Sequence, residues 1–361
     1  MNKPLKLAVL GVGRMGFIHA RHVQELAEKT NTCQLVAVAD TDRDFSAKTA
    51  HKLQQHQNTK IYSYASATEL AISNSIDAAV IASPTVNHYQ DTKILVDAGY
   101  RVLLEKPLTA SLQDAKELTG YLDSSQKAST SVMLAFMRRF DEPLMLAKKL
   151  LDSGKIGRPF KYSSILEDPL PPPEGYISPG LLLDMAIHNI DEILWLHGDK
   201  PERAIAFGSN LYSHGESDVE EDFDDAMLQL WFPGNVLGQI QVSRNHVAGY
   251  RAETWIYGEQ GMIHVGHFQD DPHAISVNSY SRDNQVIEKK IFMQRKYEED
   301  VPVFATRFGN SYKSELTHFV DQCHTNSPFS VTHIDGFLAQ QVAFASQRTV
   351  KGADGANLIR Y

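Results

Sequence analysis

The chain has 361 residues, 42% of them hydrophobic and 22% charged, and a formal net charge of −9. That composition belongs to an ordinary globular protein long enough for two domains, and the acidic balance argues against nucleic acid, which needs clustered Lys and Arg. Two cysteines without paired spacing, Cys33 and Cys323, argue against a disulfide framework, and no apolar stretch reaches the ~20 residues of a membrane span. A polar start running into a strand shows no signal peptide, so a cytoplasmic enzyme is expected.

From Leu5 to about Met133, short apolar runs alternate with helical patterns. The runs are Leu5–Leu10, Gln34–Ala39, Asp77–Ala82, Arg101–Leu104 and Thr130–Met133. Near-continuous apolar runs suit a parallel sheet covered on both faces, and stretches such as Met15–Glu28 and Ser111–Ser124 are long enough for crossover helices. A doubly wound domain over 1–133 is predicted. The second domain, 134–361, begins with a helix over Glu142–Ser153, a strand-like stretch, the Pro171-Pro172-Pro173 loop and a helix over Leu182–Leu196. From Ala204 to Met293, strands follow one another without helices: Ala226–Phe232, Leu237–Ser243, Arg251–Tyr257, Gly261–Val265, Ala274–Tyr280 and Val286–Phe292. That order predicts a mainly antiparallel sheet. Two helices, near Ser311–His324 and Ile334–Val350, close the chain.

Gly11, Gly13 and Gly16 form Gly-x-Gly-x-x-Gly between the first strand and the first helix, the context a dinucleotide site requires. Gly11 permits the tight turn, Gly13 lets backbone approach a pyrophosphate, and Gly16 lets helix pack on strand. Asp40 ends the second strand run, where a carboxylate accepts from both ribose hydroxyls and repels a 2′-phosphate, which favours NAD over NADP. Arg43 nearby is the one contrary sign, and an N-cap role for Asp40 is the plain alternative. Glu105-Lys106-Pro107 follows a strand at the carboxyl edge of the sheet, where ligands bind in open α/β folds. Asp184 and His188 share one helix face at i and i+4, with Asp191 a turn on. Three ligands from one helix hold a metal poorly, so no metal is expected. His19 and His22 read as surface histidines of the first helix, and Asp218–Asp225 reads as a solvated acidic loop.

These motifs, in this order, resemble the glucose-fructose oxidoreductase/inositol dehydrogenase/MocA (Gfo/Idh/MocA) family over essentially the whole chain. Finer phrases resemble bacterial myo-inositol 2-dehydrogenases: Phe136 to Asp141, Asp168 to Tyr176, Leu183 to Asp191, and Arg307-Phe308-x-x-x-Tyr312-x-x-Glu315-Leu316. The chain departs from many of them at Pro179-Gly180, where they carry Gly-Gly, and at Glu167, where they carry a basic residue. The resemblance implies an N-terminal Rossmann domain and a C-terminal α/β domain on a large open, mainly antiparallel sheet. It implies subunits paired through that sheet into dimers or tetramers, with a homotetramer expected.

The implied reaction is NAD-dependent oxidation of a cyclitol hydroxyl, with myo-inositol giving 2-keto-myo-inositol (scyllo-inosose). Lys106, Asp184 and His188 form the catalytic set. A neutral imidazole suits a general base near neutral pH, so His188 takes the hydroxyl proton; Asp184 orients it, and Lys106 donates to the reacting oxygen. The cofactor set is Gly11, Gly13, Arg14, Met15, Gly16, Asp40, Ser83, Pro84, Glu105 and Lys106. Arg138, Asp168, Asp191 and Tyr250 are the expected polyol contacts. Alternatives are a dehydrogenase of scyllo-inositol or an aldose, an NAD-dependent glycosidase, and an NAD-binding sensor.

Overall fold

The first strand, β1 (Leu5–Leu10), holds the centre of a six-stranded parallel sheet in the order β3-β2-β1-β4-β5-β6. The other strands are β2 (Cys33–Ala39), β3 (Tyr62–Tyr64), β4 (Ala78–Ile81), β5 (Arg101–Leu104) and β6 (Val132–Leu134). The chain winds outward from β1 in both directions, the doubly wound order whose switch point lies between β1 and β4. The central runs are apolar and fully buried, as expected where helices cover both sheet faces. The crossovers are α1 (Arg14–Thr30), α2 (Arg43–Gln54), α3 (Ala67–Ser73), α4 (His88–Asp97) and α5 (Leu112–Ser124).

This computed structural model describes residues 3–73, 75–124, 131–170, 178–210, 222–268, 271–294 and 302–351. The Pro171-Pro172-Pro173 loop, Thr130 and the start of the acidic run at Asp218 lie outside them. The chain divides into two compact units, Met1–Phe136 with Tyr312–Phe337, and Met137–Ser311 with Leu338–Tyr361. The change at Phe136/Met137 falls three residues after the expected boundary, and a C-terminal segment returns to the first unit.

The second unit is built on an eight-stranded sheet in the order β14-β13-β12-β11-β7-β10-β9-β8. Its strands are β7 (Pro159–Glu167), β8 (Arg203–Ser209), β9 (Asp225–Phe232), β10 (Val236–Ser243), β11 (Arg251–Gly258), β12 (Gly261–Phe268), β13 (Asp271–Ser281) and β14 (Val286–Met293). Every pairing is antiparallel except β7 with β10. One face buries Tyr162, Ala206, Leu228, Ile240 and Ile256. Helices α6 (Glu142–Asp152) and α7 (Ile187–His197) pack against this sheet. A π-helical turn, Leu182–Ala186, leads into α7, so the expected helix Leu182–Leu196 is two conformations in series. The terminal helices are α8 (Val303–Thr325), starting eight residues before the expected Ser311, and α9 (His333–Lys351). Among the described residues no helix is long and apolar enough to cross a membrane.

Candidate functional site

The glycine-rich turn links β1 to α1. Gly11 has φ +80°, and a Cβ there would lie 2.4 Å from the Ser83 backbone. A Cβ on Gly16 would lie 1.7 Å from the Gly11 carbonyl oxygen. Around Gly13 nothing comes within 4 Å of a Cβ position, so backbone is bare where the helix begins. No side chain caps α1. The exposed Arg14 and half-buried Met15 form its first turn, where backbone N–H groups point out of a helix and favour an anion. The turn therefore fits a dinucleotide phosphate on geometry as well as on motif.

Asp40 follows β2 and is half-buried. Its carboxylate accepts Val12 N–H at 3.0 Å and Asp42 N–H at 3.1 Å, which ties the end of β2 to the glycine-rich turn. The cap of α2 is Asp42, whose side chain accepts from Phe45 N, so the capping alternative for Asp40 falls away. The Arg43 guanidinium is bound by Glu69. Glu69 in turn accepts from Ala65 N, and that bond with the Arg43 pair holds its carboxyl below the usual range.

Ser83 follows β4, and its hydroxyl donates to Asp91 on α4 at 2.7 Å. Lys106 is half-buried in the turn after β5, and its bond to Pro107 is cis. Beside it the Glu105 carboxylate meets His19 Nε2 at 2.7 Å. Burial opposes the Glu105 charge, but the His19 bond and the nearby His19, Lys106 and His88 charges outweigh it and hold the carboxyl below its ordinary value. His19 is 0% exposed, which corrects its reading as a surface histidine. His22 is buried as well. His88, also buried, contacts Pro107 O through Nδ1 at 2.8 Å and Ser83 O through Nε2 at 3.0 Å. A neutral ring carries one N–H and donates to one of these carbonyls at a time. Burial pushes the His88 pKa down, against the pull of both carbonyls and Glu105.

In the second unit, β7 and β10 are parallel neighbours, with Ser243 opposite Glu167. The residues that follow them, Asp168 and Arg244, therefore leave the sheet side by side. Asp168 N donates to Ser243 O at 2.8 Å. Arg244 is buried and gathers the entry to α7: it reaches Ser178 Oγ at 2.6 Å, Asp222 Oδ2 at 3.1 Å and, at 3.5 Å, Asp184 Oδ2. Asp222 also accepts Leu181 N at 2.8 Å. Asp184 lies in the π-helical turn and buried His188 lies one turn later. Burial raises the Tyr250 phenol well above its ordinary value, Arg138 and Arg307 opposing the rise and Asp168 adding to it. Tyr250 is thus within electrostatic reach of Asp168 and Arg138, two of the other expected polyol contacts.

Arg138 donates from Nη1 to Glu192 at 2.8 Å, and its buried Nε and Nη2 have no hydrogen-bond partner among the described residues. Glu192 is saturated by Ser164 and Thr254 hydroxyls at 2.9 and 2.6 Å. Asp191 is 1% exposed, and Arg139 binds both its oxygens at 2.6 and 3.0 Å. That bidentate pair fixes the orientation of the Asp191 carboxylate, which keeps lone pairs beyond the two that Arg139 occupies. Arg307 makes the same kind of pair with Asp141. Glu167 is bonded by Gln241 and Arg251. Arg244 was not singled out from sequence. Its only signal is its place at the end of β10, because its partners are 22 to 66 residues away.

Residues 5–133 match the oxidoreductase family model with an NAD-binding Rossmann fold, and residues 144–264 match the GFO/IDH/MocA C-terminal domain. The chain belongs to the GFO/IDH/MocA family. It is an NAD-dependent oxidoreductase acting on CH–OH groups, and its first unit is the NAD-binding domain. It is 27% identical over 349 residues to myo-inositol 2-dehydrogenase of Thermotoga maritima, covering 96% of each chain. It is 26% identical to the NAD(+) scyllo-inositol 2-dehydrogenase of Bacillus subtilis, covering 97% of this chain and 95% of that one. A solved structure of a probable dehydrogenase from Thermotoga maritima superposes with a TM-score of 0.77 at 27% identity, covering 96% of this chain and 97% of that one.

Proposed function

We propose that this oxidoreductase acts on a cyclitol, oxidising myo-inositol to 2-keto-myo-inositol (scyllo-inosose). The observation that carries the reading is the convergence at the carboxyl ends of β7 and β10. There Asp168 bonds to Ser243, Arg244 reaches Asp184, and Tyr250 is within reach of the charges on Asp168 and Arg138. A cyclitol presents hydroxyls on every side, so its site needs several donors and acceptors converging on it. The relatives named for myo- and scyllo-inositol support the same class.

In this reading bound NAD supplies the hydride acceptor. It is held by Gly11, Gly13, Arg14, Met15 and Gly16 at the phosphates and Asp40 at the ribose. Ser83, Pro84, Glu105 and Lys106 complete that set. His188 takes the hydroxyl proton, Asp184 orients the imidazole, and Lys106 donates to the reacting oxygen as negative charge grows on it. Arg138, Asp168, Asp191 and Tyr250 bind the polyol. The protein works in the cytoplasm, a setting its two free, buried-side thiols suit; burial raises both pKa values to about 12. It assembles as a homo-oligomer, a tetramer built through the outer face of the large sheet.

The test measures NADH formation across a panel of cyclitols and aldoses, followed by Lys106→Ala and His188→Ala. Turnover should be best with myo-inositol, and each variant should lose about 10²-fold or more in kcat, with NAD binding little changed in His188→Ala. Net turnover only with an aldose would replace the substrate assignment, and glycoside cleavage without NADH would replace the reaction. A variant that keeps most of its activity would remove that residue from its role.

A further inference from the structure

Lys106 is flanked on both sides by buried histidines that the proposed chemistry does not use. The residue before it, Glu105, is bound through its carboxylate by His19 at 2.7 Å. The residue after it, Pro107, is bound through its carbonyl by His88 at 2.8 Å. Both imidazoles are essentially removed from solvent, at 0% and 1% exposure, so each contact is made without competition from water. The two histidines come from different helices, and each helix starts at a cofactor segment. His19 is on α1, which rises from the glycine-rich turn. His88 is the first residue of α4, and Asp91, one turn on, takes the Ser83 hydroxyl; the other His88 ring nitrogen faces Ser83 O at 3.0 Å and donates there when it, rather than Nδ1, carries the proton.

A lysine has a long flexible stem, so the placement of its ammonium depends on a fixed backbone at its root. We propose that His19 and His88 are positioning residues that bracket Lys106, fixing its turn in register with the glycine-rich turn through α1 and with the Ser83 turn through α4. This rests on the reading that Lys106 acts on the substrate oxygen. The two contacts differ in kind. His19 anchors a carboxylate side chain, and His88 anchors a backbone carbonyl, so the turn is held at two points rather than hinged on one. The geometry also explains why two histidines are buried in a nucleotide-binding domain, where burial of a titratable group is costly unless it is bonded.

The experiment is a double-mutant cycle. His19→Leu and His88→Leu remove the bonds at similar volume, and His19→Gln and His88→Gln keep a donor. Each is made in the parent and in the Lys106→Ala enzyme, with kcat, the NAD dissociation constant by calorimetry, and thermal unfolding measured on all. A displaced reacting group costs up to about 10²-fold, so each Leu variant should lose about tenfold or more in kcat, with Gln recovering most of it. NAD dissociation should stay within about threefold, and neither substitution should lower kcat further once Lys106 is absent, because groups that act through one residue are not additive. The same fold loss in the Lys106→Ala background overturns the bracket, as does NAD affinity falling in step with kcat. Full activity in Lys106→Ala alone instead overturns the lysine reading on which the bracket stands. If one Leu variant does not fold, the cycle is read on the other histidine, and if neither folds, on His19→Asn and His88→Asn, whose shorter side chains withdraw the donor.

Discussion

Asp40 brings a negative charge to the rim of the glycine-rich turn, where Val12 N–H and Asp42 N–H fix its carboxylate. Arg43, the cation that would welcome a 2′-phosphate, is bound by Glu69 instead. NAD should therefore be preferred over NADP by at least about tenfold in kcat/KM, about 1.4 kcal/mol, and Asp40→Ser should narrow or reverse the ratio. Steady-state kinetics with both cofactors decide it, and equal use by the parent enzyme would remove Asp40 from the ribose. Glu315 makes a different kind of prediction. It is fully buried, neither carboxyl oxygen has a hydrogen-bond partner among the described residues, and burial, followed by the Glu105 charge, raises its pKa well above the ordinary value. As pH rises, the unfolded chain gives up this proton before the folded one. The stability contribution is whole below the ordinary Glu pKa and declines above it, by about 1.4 kcal/mol per pH unit, until the raised folded value is passed. Glu315→Gln removes that slope, so its melting temperature relative to the parent should be higher at about pH 8 than at about pH 5. An unchanged difference would mean that Glu315 folds as a carboxylate.

At the scale of elements, periodicity read well wherever a run was long and apolar. The strands Leu5–Leu10 and Arg101–Leu104 have the expected bounds, because a covered parallel strand is a continuous apolar run with turn residues at its ends. β3 escaped notice: Tyr62–Tyr64 is three residues at a sheet edge, two of them exposed, so no apolar run marks it. The π-helical turn before α7 was also illegible, since Leu182, Leu183, Ala186, Ile187 and Ile190 keep a helical apolar spacing through either conformation. Such turns are frequent at functional sites, and this one holds Asp184 one turn from His188. The motif residues of the cofactor site were legible because their neighbours are close in sequence or fixed by the βαβ order. Pairings across the chain were not. His19 finds Glu105 86 residues on, and Asp191 finds Arg139 52 residues back. For His19 the local pattern suggested an exposed residue, for Asp191 a polyol contact, and in both cases only the tertiary partner accounts for the burial.

At the scale of the whole molecule, the large sheet of the second unit has helices packed on one face and, among the described residues, exposed apolar side chains on the other. Along β8 as far as Phe207 and along β9 the residues alternate: Ala204, Ala206, Ala226, Leu228 and Leu230 are buried on one side. On the other side Phe207 stands directly opposite Met227, and they are 65% and 54% exposed. Ile291 and Met293 on β14 and Phe160 on β7 are further exposed apolar side chains of this sheet. Single exposed apolar residues are common, but a cross-strand pair on an open sheet face marks an interaction surface. A second copy is the occupant proposed above, and most soluble oligomers close on themselves by symmetry, so one patch serves both partners. A charge introduced there is then buried twice in each pair of subunits, without a partner, which is among the more costly changes an interface can suffer. Met227→Lys should dissociate the assembly. Light scattering on the eluting peak should give the mass of the tetramer for the parent enzyme and a smaller species for the variant. Far-ultraviolet circular dichroism should be unchanged, because Met227 points away from the core that Leu228 and Leu230 fill. A parent enzyme that elutes as a monomer would remove the oligomer from the reading, and a variant that keeps the parent mass would move the interface to another face.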